Sequence, residues 1–426
     1  MSSLTLAEKL LSRAAGRTVR ADEIAVVRPD LVLGNDVTLP TALAYLARLD
    51  GGTPRAPFDA RRIAFALDHL EGSCDAAPPG SQRAVTDYAR DHGVRLFAAE
   101  QGAGHQVVLE TGLALPGHVA VGVDAQAVCY GALNAFATGV GPADLAGVLY
   151  CGQLWLRVPA TIRIDLSGRL RPGVSARDLA LALVGRIGAD GAAHRALEFG
   201  GPGVARLDMD DRIVLANMAV ETGAKAALFR CDIKTREYLA PRIGARAAAA
   251  LVAELPDPGA RYAGSIAVEM GEVEPMVALP DPSRRVLPLS VAPPTSIDTV
   301  HLGSRIGGRL KDYAQALDVL RKGGGPVPGV RLVVTPASAR VRADMEALGM
   351  LDEFVRYGAQ ILSPGGGDCA PCGGEHSQGV RVASTAYRHF EGRWHDAATQ
   401  VYLASPAECA RAAVTGQLGG GERRAA

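Results

Sequence analysis

The chain has 426 residues with 48% hydrophobic and 21% charged side chains, enough to bury a large core and unlike a disordered segment. Lys+Arg and Asp+Glu are equal at 45 each, so there is no net basic field for nucleic acid. No apolar run approaches the roughly 20 residues of a membrane span, and the seven cysteines are odd in number, as for free thiols in a cytoplasm.

The N-terminal Met1–Leu11 stretch mixes acid and base on an apolar periodicity, predicting an amphipathic helix and no signal peptide. Short apolar runs follow, among them 62–67, 119–123 and 330–335, each alternating with helical patterns. That alternation predicts α/β layers with parallel sheets. A strand begins near Thr161, and Ser175 stands just before an apolar periodic segment, predicting a capped helix. The proline-rich stretch from Pro275 to Ser296 reads as a linker, and the last residues read as a frayed tail.

Several small polar constellations interrupt the apolar runs. Asp68-His69 follows one strand and Asp124 ends another, and the ends of parallel strands are where α/β proteins place ligands. His105 precedes an apolar run, and Glu221 sits in the small, apolar stretch Ala216–Ala224. Such a carboxylate is either a hydrogen-bonded structural acid or a tuned acid/base. Arg388 and Arg393 flank Phe390, a spacing suited to gripping carboxylates or to ordinary surface ion pairs. Cys369 and Cys372 form Cys-Ala-Pro-Cys among glycines, a pattern of metal, cluster or redox loops. Two thiolates alone cannot complete a metal or cluster site.

Taken together, these motifs resemble the large subunit of the 3-isopropylmalate dehydratase and homoaconitase branch of the aconitase family. The matching segments include Leu31–Thr38, Ala66–His69, Gly104–Val107, Tyr130–Leu133, Phe136–Gly141, Met209–Arg212, Ala216–Ala219, Gly303-Ser304, Cys369–Cys372 and Arg388–Arg393. The resemblance implies a three-domain α/β core of parallel and mixed sheets around a central cleft, divided near 1–160, 161–285 and 286–420. It implies that the swivelling fourth domain is not in this chain and is supplied by a small partner subunit. It also implies a small di- or tricarboxylate substrate and a four-iron four-sulfur cluster on three cysteines.

Residue by residue, the resemblance gives Asp68, His69, His105, Asp124 and Glu221 as catalytic groups. Arg388 and Arg393 become the substrate clamp, with Ser304 and Gln126 in the pocket, and Cys369 and Cys372 become cluster ligands. The departures are concentrated. The family's Ser-Cys-Thr-Asn reads Ser304-Arg305-Ile306-Gly307 here, so a cluster cysteine is Arg305, and its Asp-Ser-His-Thr reads Asp124-Ala125-Gln126-Ala127. A guanidinium is no iron ligand. The expectation is therefore a pocket with no cluster, in which Arg305 joins Arg388 and Arg393 in binding the substrate and a lyase or isomerase works by acid/base groups and arginine electrostatics. The alternatives are a hydro-lyase large subunit with a two-iron cluster or single metal, its third ligand drawn from Cys74, Cys129, Asp368 or His376, and a catalytically inactive polycarboxylate-binding homologue.

Overall fold

The computed structural model describes residues 3–49, 51–68, 80–280, 285–365, 379–386 and 399–420. His69, Cys74, Asp368, Cys369, Cys372, His376, Arg388 and Arg393 lie outside them. Among the described residues three larger sheets form, with two antiparallel two-stranded ribbons beside them.

The first sheet contains β1 (Leu31–Asn35), β2 (Ile63–Ala66), β3 (Arg95–Phe97), β4 (Val119–Gly122) and β5 (Phe136–Gly139). All are parallel, in the order β3-β2-β1-β4-β5. Both faces are covered, so the strands are almost continuously apolar, yet the two faces differ. Ile63, Phe65, Val119, Val121 and Phe136 pack on helices Leu39–Leu49 and Pro142–Cys151. Ala64, Ala66, Ala120 and Ala137 face the molecular centre, where small side chains let the neighbouring sheets approach.

The second sheet, β6 (Thr161–Ser167), β7 (Ala196–Gly200), β8 (Ala226–Phe229) and β9 (Gly264–Glu269), is also parallel, in the order β8-β7-β6-β9. The third contains β10 (Met276–Ala278), β11 (Val286–Pro288), β12 (Thr299–Gly303), β13 (Arg331–Thr335), β14 (Gln360–Ile361), β15 (Arg381–Ser384) and β16 (Gln400–Ala404). Its order is β11-β10-β16-β15-β12-β13-β14, with β10 and β11 antiparallel to their neighbours and the rest parallel. One buried cluster draws on all three sheets, through Ala64, Ala120, Ile164, Leu197, Ala227, Val333 and Val382.

Two expectations shift. The 275–296 stretch is not a simple linker, because Met276–Ala278 and Val286–Pro288 pair as β10 and β11 and extend the third sheet. Proline removes a donor but is tolerated at a sheet edge, and Pro288 ends the outermost strand. The N-terminal helix runs Leu6–Ala15, not from Met1, because Thr5 and Glu8 close a capping box at its start. The helix capped by Ser175 spans Ala176–Ile187 as expected. Among the described residues no helix is long and apolar enough to cross a membrane.

Candidate active site

In an open parallel sheet, ligands collect beyond the carboxyl ends of the strands, where the chain reverses its direction of winding. The first sheet reverses between β1 and β4, since the chain winds one way to β2 and β3 and returns to the other side of β1 for β4. Asp68 lies just past β2 and Asp124 just past β4. The third sheet reverses between β12 and β15, and the chain leaving β12 is Ser304-Arg305. The two reversal points face one another, tied by the Ala103 N–H donating to Ala337 O at 3.0 Å.

Leaving β12 needs an unusual backbone. Gly303 has φ +109°, and a Cβ there would stand 2.1 Å from Thr335 O, so only glycine fits. Ser304 follows with φ +75°, uncommon for a residue with a side chain. Its N–H donates to Thr335 O at 2.7 Å, and its hydroxyl accepts from the Arg305 N–H. This double turn aims Arg305 across the cleft. Such backbone strain concentrates at functional sites.

Arg305 is buried, at 3% exposure. Its Nη1 donates to Asp68 Oδ2 at 3.1 Å and to Asp124 Oδ2 at 3.3 Å, and its Nη2 donates to Asp68 O at 3.2 Å. The Gly104 N–H adds a 3.0 Å bond to Asp68 Oδ2, and the Gln126 N–H donates to Asp124 Oδ1 at 2.9 Å. Sequence analysis expects Arg305 to meet the substrate, and in the fold it meets Asp68 and Asp124. Its charge is shared between two carboxylates, because a buried guanidinium must be paired to offset its desolvation.

His105 opens the helix Gly104–Thr111. Its Nε2 lies 2.7 Å from Arg305 O. A carbonyl only accepts, so Nε2 carries the proton and the lone pair of the neutral ring is on Nδ1. Nδ1 stands 3.8 Å from Asp124 Oδ2 and has no hydrogen-bond partner among the described residues. Burial lowers the His105 pKa most; Asp124 opposes this and Arg305 adds to it. The ring is neutral at pH 7. Two acceptors thus face a gap that only a proton donor can fill.

A cavity of about 30 Å³ opens beside this group, lined among others by Asp68, His105, Asp124 and Tyr130. That is room for a water or two. Tyr130 and Gln126 lie on the buried segment Ala125–Leu133, which packs on the helix Met209–Met218. The Tyr130 hydroxyl and both amide atoms of Gln126 and Asn217 lack hydrogen-bond partners among the described residues. Buried unsatisfied groups are costly and so mark a site that expects a partner. Glu221 is on the turn Ala219–Thr222, packed against the same segment.

Sequence reasoning brought Asp68, His105, Asp124, Ser304 and Arg305 to one place. It passed over Tyr130 and Asn217. Their signal was a bulky polar ring, or an amide, inside runs otherwise glycine-, alanine- or methionine-rich.

Three thiolates would be needed for the four-iron cluster that the resemblance implies. The donor set does not fit it: the position expected for one cysteine holds a cationic guanidinium committed to Asp68 and Asp124. Cys129 is buried on the segment Ala125–Leu133, and burial raises its thiol pKa. Among the described residues no cluster of three or more His, Cys, Asp or Glu side chains is arranged to hold a metal ion.

The family is shown by comparison with known sequences. The profile described as Aconitase family (aconitate hydratase) matches residues 8–297 and 292–416. The 3-isopropylmalate dehydratase large subunit 1 of Methanopyrus kandleri is 36% identical over 97% of this chain and 98% of its own. The large subunit 1 from Thermotoga maritima is 37% identical over 97% and 98%. The 3-isopropylmalate dehydratase large subunit of Nitratidesulfovibrio vulgaris is 38% identical over 97% of each chain. A crystal structure of Thermococcus kodakaraensis aconitase X in its holo-form is 15% identical, covers 89% of this chain and 88% of its own, and superposes with a TM-score of 0.47. With a matching profile along nearly its whole length and relatives above one-third identity, the chain belongs to the aconitase family, in the branch of the 3-isopropylmalate dehydratase large subunits.

Proposed function

We propose that this chain is the large subunit of a cytoplasmic hydro-lyase that adds or removes water on a small di- or tricarboxylate, with a small subunit as its partner. The reaction class is supported by the relatives, whose names are those of dehydratases. Proton transfer is assigned to His105. The observation that carries this is its Nδ1 lone pair, fixed by the Nε2 bond to Arg305 O and facing Asp124 across a gap with room for a donor. In the hydration direction that donor is water, and in the dehydration direction it is the C–H beside a substrate carboxylate. A neutral imidazole takes the proton and returns it later in the cycle. Asp68 and Arg305 hold the base in place, and His69, Glu221, Gln126, Ser304, Arg388 and Arg393 keep the roles implied by the resemblance.

A second reading, a lyase or isomerase that never expels hydroxide, is favoured by Arg305. Hydroxide is a poor leaving group, and the family's means of stabilising it loses a ligand to that guanidinium.

The test is a turnover screen over hydroxy-di- and tricarboxylates, 3-isopropylmalate included, with the small subunit of the same genome. It is run on iron-depleted protein and after anaerobic treatment with iron and sulfide. Hydration or dehydration by the iron-depleted protein is expected. Turnover that appears only with a stable four-iron cluster would overturn the acid/base assignment, and turnover confined to isomerisation or decarboxylation would favour the second reading.

A further inference from the structure

The second sheet has a reversal point of its own, on which nothing above depends. The chain winds from β6 to β7 and β8, then returns to the other side of β6 for β9. At the carboxyl ends of β6 and β9 the Ser167 hydroxyl donates to Glu269 Oε2 at 2.7 Å, closing the floor of a crevice. Two loops form its walls: Gly168–Pro172 beyond β6 and Gly201–Leu207 beyond β7. Gly201 has φ +82°, and a Cβ there would lie 2.4 Å from Leu166 O, so glycine lets this second loop lie against the end of β6.

The crevice measures about 810 Å³, within the range of small-molecule sites. It shares no lining residue with the cavity beside His105. Its charged lining is unbalanced: Arg169, Arg171, Arg206 and Lys311 against Asp211 and Glu269. Lys311 is already held by Asp208 at 2.7 Å and Asp211 at 2.6 Å. The three arginines are exposed, and among the described residues no carboxylate pairs with any of them. Surface arginines elsewhere on the molecule do find acids, as Arg157 does with Asp22 at 2.7 Å and Arg321 with Glu353 at 2.7 Å.

We propose that this crevice binds a small polyanion, phosphate- or carboxylate-bearing, through Arg169, Arg171 and Arg206, at a site separate from the one at His105. Guanidinium forks match the paired oxygens of both anions, and three of them in one crevice suit a ligand with at least two anionic groups.

The experiment is calorimetric titration of the full-length protein at low salt with pyrophosphate and, separately, with tricarballylate. Wild type should bind at least one of them, and the preferred anion identifies the ligand as phosphate- or carboxylate-bearing. The double substitution Arg169→Ala with Arg206→Ala should weaken that binding about tenfold or more, through the loss of two charge-assisted contacts. Arg157→Ala, an equivalent surface change outside the crevice, should leave it unaltered. Circular dichroism melting checks that the variants fold. Wild type that binds neither anion, or a double variant with wild-type affinity, would overturn the proposal.

Discussion

Replacing Arg305 by methionine removes the cation and keeps most of the apolar stem. The consequence depends on which carboxylate is left behind. The Asp68 side chain is 2% exposed and that of Asp124 is 25% exposed. Water can solvate Asp124, so its share of the pairing is worth about 1 kcal/mol or less. Asp68 cannot be rehydrated in place, and breaking a buried pair by deleting one partner costs about 3–5 kcal/mol. With a urea dependence of about 2–3 kcal/mol/M, the midpoint of the transition should fall by about 1–2.5 M. Removing the buried charge as well, with Asp68→Asn on top of Arg305→Met, should recover more than half of that loss, since much of it is the stranded carboxylate. Asp124→Asn alone should move the midpoint far less than Arg305→Met. Urea titration of the single and double variants, followed by circular dichroism at pH 7, measures the cycle. A loss below about 1 kcal/mol for Arg305→Met would mean that the guanidinium is not the buried partner of Asp68, and the ion-pair account would fail.

Further outcomes follow from the same geometry. His105→Asn should lower kcat by about 10²–10⁴ while leaving KM within a few-fold, as for removal of a general base. Burial lowers the His105 pKa, so the base stays neutral below the usual histidine value of about 6.5 and the acid limb of kcat/KM should lie under that pH. By linkage the same histidine stabilises the fold above its unfolded-state pKa and loses that contribution as pH falls, so the wild-type midpoint should drop more in acid than that of His105→Asn. Gly303→Ala should be among the more damaging single-methyl changes, about 2 kcal/mol or more. Its Cβ would stand 2.1 Å from Thr335 O and 2.2 Å from the Tyr313 hydroxyl at φ +109°. Thermal melting reads this directly.

Much of the fold was legible because parallel strands buried on both faces are short apolar runs, and those at 63–66, 119–122 and 331–335 fall where the runs predicted them. What the runs do not encode is pairing. That Met276–Ala278 would leave a proline-rich stretch and join Gln400–Ala404, more than a hundred residues on, depends on tertiary packing. The site shows the same division. Asp68 and Asp124 were legible because they end strands, and Arg305 because it breaks a family motif. The meeting of all three was not, since Arg305 comes from another sheet and is aimed by two consecutive positive φ angles. The family resemblance pairs it with a substrate, and the folded chain adds two carboxylates to its partners.

That change bears on how an anionic substrate is held. Within the group around Arg305, two carboxylates, Asp68 and Asp124, face one guanidinium. At low effective dielectric such a site repels a dicarboxylate. The cations that the family resemblance supplies for such a substrate are Arg388 and Arg393. The two kinds of arginine should therefore fail differently. Arg393→Met should raise KM about tenfold or more by losing a bidentate carboxylate contact, and should leave the unfolding free energy within about 0.5 kcal/mol of wild type if the substrate is the partner of Arg393. Arg305→Met should lower the midpoint first. Steady-state kinetics and urea titration on both variants separate the two patterns. If Arg393→Met lost stability as Arg305→Met does while KM stayed put, Arg393 would be a structural ion-pair partner, and the substrate's countercharge would have to come from elsewhere, the small subunit first.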